Sequence, residues 1–356
     1  MDVSPIDNLR VLLEGGMGRW IPFSLDVGAM TGFSEPIWRT FTRNTGAENP
    51  ADFFGTDVRT FSLSARFGGE NPARWHASVP AGTKFDEWGI GHQAAGQEGA
   101  VDKTYAPLAG AARVADVEAL PSPVIDTNVD AAPIQVYHAR GYPVFGYAGS
   151  IYEWSWWLRG MENFLVDMLD NPELAEAVIR KVEGHTTRLA TATARLGVDV
   201  LCFYDDVGMQ RGMQIAPALW RQFVKPAWKR VLEAVRQAAP KAKFFLHSCG
   251  RIDAILPDVV ELGFHILHPL QPECMDFEAV HRQYGRQILL AATISSQKVF
   301  PFGSPDDVRR EVRRLAEIIG PARRAILMPS NVIQPETPWE NVLAFAAEAR
   351  ALRESR

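Results

Sequence analysis

Two soft-donor side chains stand two residues apart in Phe244-Phe245-Leu246-His247-Ser248-Cys249-Gly250. If this apolar run is a strand, residues i and i+2 project from one face, so the His247 imidazole and the Cys249 thiol point together. A nitrogen and a sulfur donor side by side suit a transition metal, zinc foremost. Two ligands do not complete a zinc shell, and the next strand-like segment is followed closely by His268, Glu273 and Cys274. Adjacent parallel strands bring their ends within reach of one another. His247, Cys249 and Cys274 are therefore the expected ligand set, with Glu273 or His268 as alternatives to Cys274. Three protein ligands leave a fourth position open, which suits catalysis better than a structural role.

Carboxylates form the second group. Asp205-Asp206 closes a β-rich run, so one carboxylate can face the end of the strand while the other caps the next element. Neighbouring carboxylates repel and raise one pKa, which suits acid–base work or the holding of a substrate cation. Asp57 and Arg59 alternate on an extended segment, share a face, and are expected to pair or to meet substrate. Asp57, Asp205, Asp206 and His247 are thus the candidate catalytic groups. Arg59, Tyr152, His268, Gln271 and Asn331 are the candidate substrate contacts. At strand spacing Tyr152, Trp154 and Trp156 would line one side and stack on a flat substrate, whereas on a helix the same aromatics pack the core.

The elements that must position these groups alternate regularly. Helices are expected over 161–170, 173–196, 217–238 (broken or kinked at Pro226), 252–262, 277–284, 305–319 and 338–352. Strands are expected at 198–204, 244–246, 265–267, 288–293 and 325–328. This alternation implies a parallel sheet, and its regularity favours one closed (β/α)8 TIM-type barrel over residues 1–356, with an open doubly wound sheet as the other α/β possibility. The stretch from about 65 to 130, rich in Gly, Ala and Pro, is expected as an excursion over the barrel mouth. Barrel enzymes keep their chemistry at the C-terminal strand ends, where Asp205-Asp206, His247 and His268 fall.

Composition narrows the function. The 356 residues are 47% hydrophobic and 22% charged, enough for a large core. A net charge of −5 argues against a nucleic-acid partner, and no apolar run approaches the roughly 20 residues of a membrane span. Three cysteines are too few, and odd in number, for a disulfide framework. With no signal-peptide pattern at the start, the expectation is a reduced, cytoplasmic protein. The chain carries no G-x-G-x-x-G after a strand and no P-loop, so nicotinamide, flavin and nucleotide cofactors are not expected.

Several motifs share an order and spacing: Leu158-Arg159-Gly160-Met161-Glu162-Asn163-Phe164, Asp170-Asn171-Pro172-Glu173, Asp205-Asp206, His247-Ser248-Cys249-Gly250, Gln271-Pro272-Glu273 and Gln334-Pro335-Glu336-Thr337-Pro338-Trp339-Glu340-Asn341. In these the chain resembles the uroporphyrinogen decarboxylase superfamily, which also contains cobalamin-linked methyltransferases. The resemblance implies a distorted (β/α)8 barrel. Its decarboxylase branch relies on an aspartate, matched here by Asp57, and on an N-terminal Arg-Gln-Ala-Gly-Arg motif that grips substrate carboxylates. Here that place holds Pro22-Phe23-Ser24-Leu25-Asp26-Val27-Gly28-Ala29-Met30, without a cation, so true uroporphyrinogen decarboxylation is not expected. The methyltransferase branch binds zinc through His-x-Cys and a distant cysteine. His247 and Cys249 match the first two, and Asn331 stands at the third place. The resemblance thus implies a methyltransferase that moves a methyl group between a small methylated substrate or thiol and a corrinoid carried by a partner protein. Zinc would assist, and a homodimer is the habit of the branch. Two other readings stay open: a metal-free lyase on a small carboxylated substrate, with Asp57 as electrostatic catalyst and His247 as proton donor, and a non-catalytic ligand-binding barrel.

Overall fold

A computed structural model describes residues 3–93 and 103–354, and every structural statement refers to these. Seven parallel strands, β1 (Arg59–Phe61), β2 (Val144–Gly149), β3 (Val200–Tyr204), β4 (Lys243–His247), β5 (Ile266–His268), β6 (Leu289–Ile294) and β7 (Ala325–Pro329), neighbour one another in chain order. The eighth stave is short. Leu327 N–H donates to Pro22 O at 2.8 Å, Ser24 N–H to Leu327 O at 3.0 Å, and Asp57 N–H to Phe23 O at 3.0 Å. Residues 22–24 therefore bridge β7 to the chain entering β1 and close the ring, giving the (β/α)8 barrel expected from the alternation.

Period-two alternation sorts the strand residues. Phe145, Val200, Cys202, Tyr204, Phe245, Ile266, Leu289, Ala291, Ile326 and Met328 fill the interior, together with Leu9 and Leu12 of the helix Pro5–Leu13. The alternate positions, among them Phe203, Phe244, Leu246, Leu267 and Leu290, pack beneath the surrounding helices. Both sets are apolar because both faces of a parallel barrel are covered. Of these helices, Pro172–Arg195, Phe277–Tyr284 and Pro305–Ile319 lie within a residue or so of their expected bounds. The break expected at Pro226 takes the form of a wide π-helical turn, Trp220–Val224, running into the helix Lys225–Ala238. Proline has no N–H to donate and its ring crowds the preceding turn, so the backbone widens ahead of it.

Two expectations need correction. The aromatic run after β2 forms the core-packed helix Tyr152–Arg159, so Tyr152, expected as a substrate contact, is buried in the core with Trp154. The excursion is also more regular than its composition suggests. Ala65–Arg66 pairs with Val124–Ile125, while Lys84–Phe85, Gly91–Gln93 and Lys103–Tyr105 form a three-stranded antiparallel sheet. Its residues 94–102 lie outside the described ones. Trp88, fully buried, anchors it, with ring centroids 5.6 Å from Trp154 and 4.9 Å from His185. Arg159 adds a polar tie by donating to the carbonyls of Leu108 and Ala109 at 2.9 and 2.6 Å. Both anchors are on or beside the helix that leaves the C-terminal end of β2, so the excursion covers that side of the barrel mouth. Among the described residues no helix is long and apolar enough to cross a membrane.

Candidate active site

The loops leaving β3 and β4 are fastened to each other. Asp205 N–H donates to His247 O at 2.8 Å, Val207 N–H to the Ser248 hydroxyl at 3.1 Å, and Arg251 N–H to Met209 O at 2.8 Å. Cys249 N–H donates to Asp206 Oδ1 at 2.7 Å. The backbones meet at two glycines. A Cβ on Gly250, whose φ is +81°, would stand 2.5 Å from the carbonyl carbon of Gly208, and one on Gly208 would stand 2.4 Å from Cys249 O. Neither contact is tolerable, so only glycine lets Asp206 and Cys249 come this close. Gly250→Ala is expected to cost about 2–4 kcal/mol through the clash and the left-handed backbone. It should also part Asp206 from Cys249, seen as a lower urea midpoint. A wild-type midpoint would show that the loops yield without cost.

This fastening gathers three donors. The ligand atoms of Asp206, His247 and Cys249 all lie within 4.8 Å of one another, the one such group among the described residues. His247 Nε2 is 3.3 Å from Cys249 Sγ and 3.4 Å from Asp206 Oδ1. The tautomer of His247 follows from its neighbours. His268 Nε2 is 2.9 Å from Pro329 O, and a carbonyl only accepts, so the proton of His268 is on Nε2. Burial holds His268 neutral, so its Nδ1 is an acceptor and takes the proton of His247 Nδ1 at 2.8 Å. His247, pushed down to about 3 by burial, is neutral as well. Its Nε2 therefore presents a lone pair toward Cys249 and Asp206. Three potential ligand atoms converge there, with His247 held by an outer chain of His268 and a backbone carbonyl, which is how metal-binding histidines are oriented.

Two carboxyl groups, Asp206 and Glu153, stand close together at the donors. Burial raises the pKa of Asp206, and Glu153 lies close enough for each charge to disfavour the other. Burial, reinforced by Asp206 and Glu153, drives the Cys249 thiol up strongly, opposed by the Asn331 amide, whose Nδ2 donates to Sγ at 3.3 Å. The group favours whatever brings positive charge.

Other expected site residues fall elsewhere. Asp205 caps the helix Tyr152–Arg159: Oδ1 accepts from Ser150 Oγ at 2.8 Å, Ile151 N–H at 3.1 Å and Glu153 N–H at 2.9 Å, and Oδ2 accepts from Trp228 Nε1 at 2.9 Å. Tyr152 turns into the core, its hydroxyl 3.2 Å from Gln214 Oε1. Gln271 accepts from Gly250 N–H at 2.9 Å and so braces the loop after β4. Cys274 leans outward, its thiol 3.3 Å from Gln210 Oε1, and beside it Glu273 accepts from the Ser295 hydroxyl. Neither joins the three donors, because the loop after Pro272 turns toward Arg314 and Leu315. His268 sits behind His247 instead of beside the donors.

Asp57 and Arg59 also lie apart from the donors. Val58 belongs to the barrel interior, so the residues on either side of it face outward. Asp57 accepts from Trp20 Nε1 and Phe23 N–H at 2.9 Å and from Arg353 at 3.2 Å. Arg59 binds Asp52 at 2.7 Å and lies 3.7 Å over the Tyr142 ring. They do not pair with each other. Burial raises Asp57 to about 6 against the pull of Arg353, the Phe23 N–H, Trp20 and Arg59. The folded carboxyl holds its proton more tightly than the unfolded one, so this stability is full below about pH 4 and is lost as pH rises through about 6. The difference is on the order of 3 kcal/mol. Asp57→Asn is expected to flatten the fall in urea midpoint between about pH 4 and 6.5. An unchanged slope would show that Asp57 is not its source.

Comparisons with known proteins agree with this architecture. The family model for uroporphyrinogen decarboxylase (URO-D) matches residues 99–352. The chain is 28% identical over 190 residues to the methylcobamide:CoM methyltransferase MtaA of Methanosarcina barkeri, covering 53% of this chain and 52% of that protein. It is 26% identical over 211 residues to the uroporphyrinogen decarboxylase of Thermus thermophilus, covering 56% and 57%. The matches thus span about half the length of these curated relatives. A solved methyltransferase from Methanosarcina mazei shares the fold, with a TM-score of 0.67, 19% identity, and 98% and 99% of the two chains covered.

Proposed function

Because the chain belongs to the uroporphyrinogen decarboxylase (URO-D) family, we propose that it is a methyltransferase within that family, moving a methyl group between a small methylated compound or thiol and a corrinoid carried by a partner protein. One observation carries this reading: the convergence of His247 Nε2, Cys249 Sγ and Asp206 Oδ1, with His247 locked by His268 and Pro329 O. A nitrogen, a sulfur and an oxygen donor in a partly buried cleft fit a zinc-type ion with a position left for substrate. Bound by His247 and Cys249, such an ion would lower the pKa of a substrate thiol or act as Lewis acid on a methoxy or methylamine donor.

The chain's own groups supply the rest. His268 keeps the imidazole of His247 turned with Nε2 forward. The Asn331 amide steadies the Cys249 sulfur, and Glu153 is the carboxylate placed to take a proton released at the mouth. A lyase acting on a polycarboxylate is the weaker reading. Asp57 faces away from the donors.

The test offers zinc-loaded protein methylcobalamin and a panel of small thiols, with the loss of the carbon–cobalt bond followed by absorbance. The expected result is thiol-dependent demethylation that disappears on chelation. Carbon dioxide release from a carboxylated substrate by metal-free protein would favour the lyase. Tight binding of small ligands without turnover of any would favour a binding barrel.

A further inference from the structure

We infer that Asp206 is the third metal ligand of this chain, so that its ion is held by one nitrogen, one oxygen and a single sulfur. The inference rests on the metal-assisted reading above and adds the donor set. His247 and Cys249 come from the end of β4, and nothing on β7 completes them. Asn331, the residue just beyond β7 that reaches Cys249, does so with Nδ2 as a donor, and its Oδ1 accepts from Val332 N–H at 2.6 Å. An amide committed in both directions does not ligate.

Asp206 is placed differently. Oδ1 accepts from Cys249 N–H at 2.7 Å and lies 3.4 Å from His247 Nε2, and the carboxylate has further lone pairs free. Lone pairs on nitrogen and oxygen at that separation repel unless a proton or a cation lies between them. A proton can lie along only one of these contacts at a time, whereas a divalent ion would meet all three ligand atoms together. A thiolate and a carboxylate would also balance the charge of a divalent ion. The position comes from the glycine contact between the β3 and β4 loops, so the third ligand here is the neighbour of the His-x-Cys strand and not a residue of the last strand.

The deciding measurement is X-ray absorption at the zinc edge of the wild-type protein, joined to chelator-competition affinities of four variants. The expected first shell has one sulfur at about 2.3 Å and otherwise nitrogen or oxygen at about 2.0–2.2 Å. Asp206→Asn keeps an oxygen to accept from Cys249 N–H, so its circular dichroism should match wild type. Its affinity should fall by more than the roughly 10–100-fold typical of outer-shell partners. Cys274→Ala and Glu273→Gln should bind within about twofold of wild type, and Cys249→Ser should remove the sulfur from the shell. Two sulfurs in the wild-type shell, an unchanged affinity in Asp206→Asn, or a collapse in Cys274→Ala or Glu273→Gln would overturn the assignment while leaving the metal reading standing. If wild-type protein takes up no zinc at all, both fall together. Should Asp206→Asn fail to fold, the wild-type shell still decides.

Discussion

Cys249→Ser is expected to bind zinc several hundred-fold more weakly than the wild-type chain and, under the proposed function, to lose methyl transfer with it. Structural zinc sites release about 10–16 kcal/mol over four ligands, so one thiolate accounts for about 2.5–4 kcal/mol, a factor of roughly 70 to 900. Serine is no substitute, since its hydroxyl is far harder to deprotonate and is not a soft donor. The wild-type affinity should itself depend on pH. Burial, Asp206 and Glu153 keep the Cys249 thiol protonated in the free protein, while His247 is already neutral. Binding must therefore expel the thiol proton, and affinity should rise about tenfold per pH unit while the free thiol stays protonated. Zinc titrations of both proteins from pH 6 to 8 test this. A Cys249→Ser affinity equal to wild type, or a flat wild-type pH dependence, would remove the thiol from the site.

The barrel was legible because its strands are short apolar runs between amphipathic helices. Alternation alone predicts β3 to β7 within a residue or two. The first stave was not legible, for residues 22–24 make only a few ladder bonds, and their partners lie some 300 residues later in β7. The His247–Cys249 pair was legible as a spacing, although β4 ends at His247; Cys249, two residues on, is held beside it in the loop by its bond to Asp206. The division of labour between Asp205 and Asp206 follows from alternation, one outward beneath the helices to a cap and one to the mouth. What was missed depends on loop paths. Cys274 and Glu273 stand after the strand neighbouring β4, but the chain beyond Pro272 turns outward, whereas two glycines draw Asp206 onto Cys249. The pairing of Gly208 with Gly250 is the signal that marks this contact, and it becomes readable only once the two loops are known to touch. Glu153 escaped notice because it is a single acidic residue in the first turn of an aromatic helix that reads as core packing.

The largest expected loss of stability comes from a carboxylate that touches no substrate. Asp205 is buried and accepts from four donors, three on Oδ1 and one on Oδ2. Asp205→Ala leaves the Ser150 hydroxyl, two backbone N–H groups at the start of a helix and the Trp228 indole without an acceptor. Each orphaned buried donor costs about 1–3 kcal/mol, and even with partial rescue by water the sum should reach about 4 kcal/mol or more. Asp205→Asn separates the two oxygens. Its carbonyl can serve the three donors on the Oδ1 side, but its NH2 would then face the Trp228 N–H, donor against donor, for a loss nearer 2 kcal/mol. Removing that indole donor should make Asp205→Asn cheaper, so the double variant with Trp228→Phe is expected to be more stable than the two single losses summed. Urea titrations of the four proteins give the coupling. Strict additivity would mean that Oδ2 and Trp228 do not interact as the geometry indicates. Because Asp205 fixes the helix that carries Glu153 and adjoins Asp206 in the chain, the same variants should bind zinc more weakly in proportion to how far that helix start is loosened. A destabilised protein with unaltered zinc affinity would instead show that the donor group is held by the β3–β4 loop contact alone.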